Sequence, residues 1–252
     1  MKTILITGCS SGFGLETARR FLAGGWRVIA TMRTPREDVL PASPRLRVLP
    51  LDVTDPESIR AAVAEAGPID ALVNNAGVGL LSVVEGTSME AVRAIFETNT
   101  FGAMAVTRAF VPQLRQRGAG VVVNVSSSTT LAPLPMLAVY TASKAALNAF
   151  TECLALELAP FGVRVRLVLP GMAPTTSFGE NAFAQMQAEG VEVPEPYAAF
   201  RQGVFDEMAA KRSGPLTTSA DVADVIWQMV SAPSGPVCRP AGADAVALAA
   251  AR

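Results

Sequence analysis

Six short runs of β-forming residues, Thr3–Thr7, Trp26–Met32, Leu46–Leu51, Ile69–Asn74, Val121–Ser126 and Val163–Leu169, alternate with longer amphipathic stretches from the first residue onward. A strand followed by a helical stretch cannot turn back on itself through a tight hairpin, so the crossover returns the chain parallel to where it left. Helices then cover both faces of the sheet, and its strands read as runs of Val, Ile and Leu rather than as polar and apolar residues in turn. The expected fold class is α/β: a doubly wound parallel sheet with helices on both faces.

Punctuation falls where this scheme needs it. Asp55-Pro56 offers an N-cap and a proline at the first helical position, and Thr87-x-x-Glu90 and Thr218-x-x-Asp221 read as capping boxes. Gly24-Gly25 and Gly162 stop the helices that precede two of the strands. Met89, Val92, Phe96 and Asn99 follow a helical spacing, so an amide lies on an otherwise apolar stripe, either as a satisfied structural group or as one placed to order a site. Half of the 252 residues are hydrophobic, which is enough for one large core, and no repeat divides the chain.

Charge and composition remove several functions. A net charge of −1, with no cationic run longer than a pair, leaves no electrostatic footprint for nucleic acid or an anionic membrane. Met1–Gly8 has too short an apolar stretch for a signal peptide, and no run is long enough to span a bilayer, so a cytoplasmic protein is expected. Cys9, Cys153 and Cys238 have no metal-ligand spacing and read as reduced thiols. The chain contains no histidine, which excludes Ser-His-Asp hydrolysis, Cys-His chemistry and the usual zinc sites, and no metal is expected.

Other proton carriers are present. Tyr140 and Lys144 lie one helical turn apart on one face, and an ammonium close to a phenol favours the phenolate. Taken alone, the pair is equally a surface Tyr and Lys. Gly8-Cys9-Ser10-Ser11-Gly12-Phe13-Gly14 joins the first strand to a helix, where glycines let backbone approach a pyrophosphate and the helix N-terminus faces its charge; a plain tight turn would use the same residues.

Together with Asn74-Asn75-Ala76-Gly77, Asn99, Ser127 and Pro170-Gly171, in this order and approximate spacing, the chain resembles the classical short-chain dehydrogenase/reductase family over nearly its whole length. Phe13 departs from the aliphatic residue usual between the last two glycines, without removing a donor. The resemblance implies a single-domain Rossmann-type fold over 1–252, with 1–170 mainly for cofactor and catalysis, 171–215 as a substrate loop or lid and 216–252 as a C-terminal helix and tail. It implies Tyr140 as acid and base between carbonyl and alcohol, and Ser127, at the family's usual thirteen residues before Tyr140, as the donor to the substrate oxygen. Lys144 would lower the Tyr140 pKa and hold the nicotinamide ribose, and Asn99 would order a water relay. Gly8, Ser10, Ser11, Gly12, Phe13 and Gly14 would hold the pyrophosphate. Asp52 and Val53 would meet adenine, Asn75, Ala76 and Gly77 the adenine ribose, and Pro170, Gly171 and Thr175 the nicotinamide carboxamide.

NADP(H) is expected over NAD(H), because Met32 stands where NAD-preferring relatives carry Asp and Arg33 follows, with Ser11 and Arg36 as helpers. The chain is similar in this to the NADP-preferring hydroxysteroid- and retinol-dehydrogenase-like members. Between Pro174 and Lys211, Phe178, Phe183, Met186, Tyr197, Phe200, Phe205 and Met208 predict an apolar lid and a bulky lipophilic small-molecule substrate. The family further implies a homodimer or homotetramer built on the helices of Asn99–Leu114 and Tyr140–Leu158. A catalytically silent NADP-binding sensor or scaffold is the alternative.

Overall fold

The computed structural model describes residues 1–188, 190–211 and 214–251; Glu189, Arg212 and Ser213 of the predicted lid segment and Arg252 of the tail lie outside the described residues. Strands β1 (Thr3–Ile6), β2 (Arg27–Met32), β3 (Leu46–Pro50), β4 (Ala71–Asn74), β5 (Gly120–Val125), β6 (Val163–Pro170) and β7 (Cys238–Ala241) form one sheet of order β3-β2-β1-β4-β5-β6-β7. Every pairing is parallel, so the predicted doubly wound α/β sheet is what forms. Strand order reverses between β1 and β4, which opens the crevice beyond their carboxyl ends where ligands bind in such sheets.

The helices are α1 (Gly12–Ala23), α2 (Pro56–Ala66), α3 (Met89–Phe96), α4 (Ala103–Arg117), α5 (Ala138–Leu158), α6 (Phe178–Ala188), α7 (Ala198–Lys211), α8 (Ser219–Ser231) and α9 (Ala243–Ala250). The pleat of β1 divides its side chains between two cores. Ile4 and Ile6 meet Phe21 of α1 and Ile226 of α8, while Leu5 meets Phe110 of α4 and Leu158 of α5. Each such side chain stabilises the fold by about 1.5–3 kcal/mol through burial.

Asp55 caps α2 by accepting from Glu57 N at 2.9 Å, and Thr218 and Asp221 form the predicted capping box at α8. At α3 the cap is Ser88 rather than Thr87, accepting from Ala91 N at 3.1 Å. The buried residues of α3 are Ala91 and Ile95, in line with Asn99 one turn further on, whereas Met89 is 58% exposed. β7 has no counterpart among the predicted strands. Its four residues include Arg239 and Pro240, and it exists only as an edge, in register with Leu167–Pro170 of β6, a position that tolerates proline.

Candidate active site

The loop leaving β1 is bound to the end of β4 by side chains. Thr7 Oγ1 accepts from Asn75 N and Ala76 N, both at 2.9 Å, and Asn75 Nδ2 donates back to the carbonyls of Thr7 at 2.9 Å and Gly8 at 3.1 Å. Gly8 has φ +72°, and a Cβ on Gly14 would run into Gly8 O and Asn75 Nδ2, so the start of α1 can approach only without a side chain there. Ser11 makes no side-chain cap to α1, whose first N–H groups therefore keep their capacity for an external acceptor. A bare, glycine-built helix start of this kind fits a pyrophosphate. Ser10 is exposed; Ser11, Gly12 and Phe13 are half-buried.

Just past β3, Asp52 Oδ1 accepts from Thr54 N at 2.9 Å and from Thr54 Oγ1 at 2.7 Å, which fixes the carboxylate beside the buried Val53. Arg33 is exposed just past β2. Met32 is 3% exposed, packed in the core with its Sδ accepting from Arg36 N at 3.3 Å. Arg36 itself lies 3.9 Å from Asp38.

The chemistry-bearing groups converge at the start of α5. Tyr140, Ser127 and Lys144 are all buried, and the Ser127 hydroxyl lies close enough to the Tyr140 phenol to favour its ionised form. Ser127 Oγ accepts from Thr129 N at 3.2 Å, which fixes its rotamer. Burial pushes the Tyr140 phenol up to about 12, the Ser127 hydroxyl offsetting this only in part. Burial lowers Lys144 to about 8, and its Nζ donates to Val125 O at 3.0 Å. The expected depression of Tyr140 by Lys144 is thus not what the structure carries: desolvation dominates both groups, leaving a protonated phenol beside an ammonium that is easily discharged.

Asn99 sits in a π-helical turn, Glu97–Gly102, between α3 and α4, a local widening common at functional sites. Its Oδ1 accepts from Val78 N at 2.8 Å, and its Nδ2 donates to Val78 O at 2.9 Å and Ser143 Oγ at 3.1 Å. Ser143 Oγ in turn donates to Tyr140 O at 2.7 Å, so the amide ties the loop after β4 to the helix carrying Tyr140. A Cβ on Gly77 would lie 3.1 Å from Asn99 Oδ1 and 3.2 Å from Lys144 Nζ, which places Gly77 against both.

Pro170 ends β6, followed by a half-buried Gly171, and Thr175 is exposed. It is the neighbouring Thr176 that lies by the glycine loop, 3.6 Å from where a Gly12 Cβ would be. The predicted lid divides by facing. Phe178 packs edge-on against Tyr140 with ring centroids 5.7 Å apart, Met186 joins Leu80, Ile95 and Val139, and Tyr197 and Met208 join Val83 and Met136. Phe178 is nonetheless 41% exposed, as are Phe183, Phe200 and Phe205 to a similar or greater extent. Met136, between Ser127 and Tyr140, has φ +60°, an unfavourable conformation for its side chain, and is held there by Ser82 N donating to its carbonyl at 2.9 Å. Sequence reasoning passed over Met136, Thr176 and two residues beyond the lid, Thr217 and Asp244, because nothing local marks them.

Comparison with known proteins bears on this arrangement. A family model described as short chain dehydrogenase matches residues 2–187. The chain is 36% identical over 243 residues to the uncharacterized oxidoreductase YusZ of Bacillus subtilis, covering 91% of this chain and 85% of that one. It is 40% identical over 182 residues to the 3-ketodihydrosphingosine reductase of Bacteroides thetaiotaomicron (71% and 66% covered), and 34% identical over 254 residues to retinol dehydrogenase 8 of Bos taurus (94% and 80% covered). Among solved structures, a short-chain dehydrogenase from Streptomyces avermitilis superposes with TM-score 0.83 at 35% identity, covering 100% of this chain and 92% of that one. The closed form of a serine dehydrogenase complexed with NADP+ superposes with TM-score 0.81 at 28% identity, covering 96% and 95%.

Proposed function

We propose a reaction on one premise: the chain belongs to the short-chain dehydrogenase family, whose model it matches over residues 2–187, and is an oxidoreductase by that membership. The reading is that it interconverts a ketone or aldehyde and an alcohol with NADP(H). The observation that carries it is the buried Ser127, Tyr140 and Lys144 set, ordered through Asn99 and Ser143 at the mouth of the sheet crevice.

The cofactor, when bound, supplies or accepts hydride at the reacting carbon. The chain's part is proton transfer and charge stabilisation. Tyr140 is protonated at neutral pH and gives its proton to the carbonyl oxygen during reduction, taking it back in the reverse direction. Ser127, its hydroxyl near the phenol, stabilises the charge that develops on that oxygen. Lys144 would hold the ribose hydroxyls, and Gly8, Ser10, Ser11, Gly12, Phe13 and Gly14 the pyrophosphate. Asp52, Val53, Asn75, Ala76 and Gly77 would line the adenosine side, and Pro170, Gly171 and Thr175 the nicotinamide side.

Exposed Arg33 beside an uncharged Met32 supports NADP(H) over NAD(H). The contact of Phe178 with Tyr140, the packing of Tyr197 and Met208 with Met136 and that of Met186 with Leu80 and Ile95 support a bulky lipophilic substrate. Relatives named for retinol and for 3-ketodihydrosphingosine support the same class. Three free thiols are in keeping with a cytoplasmic enzyme, and no helix among the described residues is long and apolar enough to cross a membrane. The test is loss of NADPH absorbance across a panel of long-chain ketones, steroid ketones and retinoid aldehydes. Tight NADPH binding with no turnover of any of them would favour the sensor instead.

A further inference from the structure

Pro170-Gly171-Met172, where the chain leaves β6, is held by residues far away in sequence. Asp244, in the first turn of α9, accepts from Met172 N through Oδ2 at 2.6 Å and from the Thr217 hydroxyl through Oδ1 at 2.6 Å. Thr217 is buried, its Oγ1 accepts from Gly171 N at 3.1 Å, and its own N–H donates to Met172 O at 3.1 Å. A Cβ on Gly171 would collide with the Asp244 carboxylate, so glycine at this position makes room for the acid. The insertion that reaches over Tyr140 leaves the body of the protein after Met172 and re-enters at Thr217. One carboxylate therefore grips both of its ends.

A carboxylate only accepts, and it is met here by an N–H and an O–H at short range, the geometry of strong, charge-assisted hydrogen bonds. We propose that Asp244, acting through Thr217, is a positioning residue that sets the Gly171–Met172 backbone and the hinge of the lid. It thereby governs binding of the nicotinamide half of the dinucleotide and not of the adenosine half. This rests on the reading of the site as a nicotinamide-nucleotide site. The glycine loop, Asp52 and Arg33 belong to other elements, so they keep their geometry when the grip is released.

Isothermal titration of the whole protein with NADP+ and with 2′,5′-ADP, which lacks the nicotinamide half, separates the two effects. Asp244→Ala is expected to weaken NADP+ binding about ten-fold or more while leaving 2′,5′-ADP within about two-fold. Amide exchange at residues 171–176 and 214–217 should quicken. Thr217→Val should shift both readings the same way, and Thr217→Ser, which restores the hydroxyl, should return them close to the unmodified values. Should Asp244→Ala not fold, Asp244→Asn, with one acceptor oxygen left, carries the same comparison. Equal losses for both ligands, no loss for either, or a Thr217→Ser variant that behaves like Thr217→Val would overturn the proposal. An unmodified protein that binds neither nucleotide would instead take down the functional reading beneath it.

Discussion

Tyr140 and Lys144 share a helix face, and burial drives their pKa values apart, the phenol up to about 12 and the ammonium down to about 8. Tyr140→Phe removes the transferable proton with little change of volume, and turnover should fall by about 10²–10⁴-fold with NADPH affinity nearly unchanged. Retention of half the turnover, with chemistry limiting the rate, would count against Tyr140. For Lys144 the linkage sign is fixed by the direction of its shift. Between about 8 folded and 10.5 unfolded, the folded protein binds fewer protons, so its stability rises with pH through that window. The cost of burying the ammonium is present in full below about pH 8 and is gone above pH 10.5. Lys144→Met should therefore stabilise the protein at pH 7 by about 2 kcal/mol, after allowing for an orphaned Val125 carbonyl, while abolishing turnover. Denaturant titrations at pH 7 and pH 10 check this, and a gain independent of pH would refute it. Arg33 governs the cofactor prediction: Arg33→Ala should reduce a preference for NADPH over NADH by about ten- to a hundred-fold. Competitive binding of the two cofactors measures it, and equal affinities in the unmodified protein would sink the assignment. The informative substitution is at Arg33 alone, since an acid at Met32 would enter the core.

Elements differ in how much of them the sequence carries. The N-caps of α2 and α8 are spelled within four neighbouring residues, and so they could be read directly. The start of α3 was misplaced by one position because Thr87 and Ser88 are both able caps, and the choice falls to whichever side chain meets Ala91 N in the folded turn. The π-helical turn carrying Asn99 has no local signature, since its widening follows from Val78 and Ser143 gripping one amide from two sides. In α6, the alternation of aromatic and polar residues could not say which ring turns inward. Phe178, though 41% exposed, lays an edge against Tyr140, and such an aromatic contact contributes about 0.5–1.5 kcal/mol beyond its area. Phe178→Ala should raise KM for bulky hydrophobic ketones more than for small ones while the catalytic groups stay in place. Steady-state kinetics on a short and a long ketone decide it, and an equal change for both would mean that Phe178 serves packing alone.

At the scale of the whole molecule, the helices of Asn99–Leu114 and Tyr140–Leu158 carry apolar residues on two sides. Phe110, Leu147 and Leu154 belong to the core, whereas Phe101 is 51% and Leu156 78% exposed on the helices expected to meet a second copy. Leu156→Glu should convert a dimer or tetramer to smaller species in sedimentation velocity at micromolar concentration, and an unmodified protein that sediments as a monomer would remove the assembly. What the sequence determined by itself was everything written in neighbouring residues: the order of strands and helices, the glycine loop, the Tyr140 and Lys144 spacing and the two strongest caps. Such features need only the geometry of one helical turn or one strand-to-helix connection. Tertiary structure alone decided the edge strand β7, which forms only against β6, the grip of Asp244 on Met172, the contact of Phe178 with Tyr140 and the direction of the Tyr140 shift. Each of these depends on groups brought together across long stretches of chain, or on the exclusion of water that only the finished packing achieves.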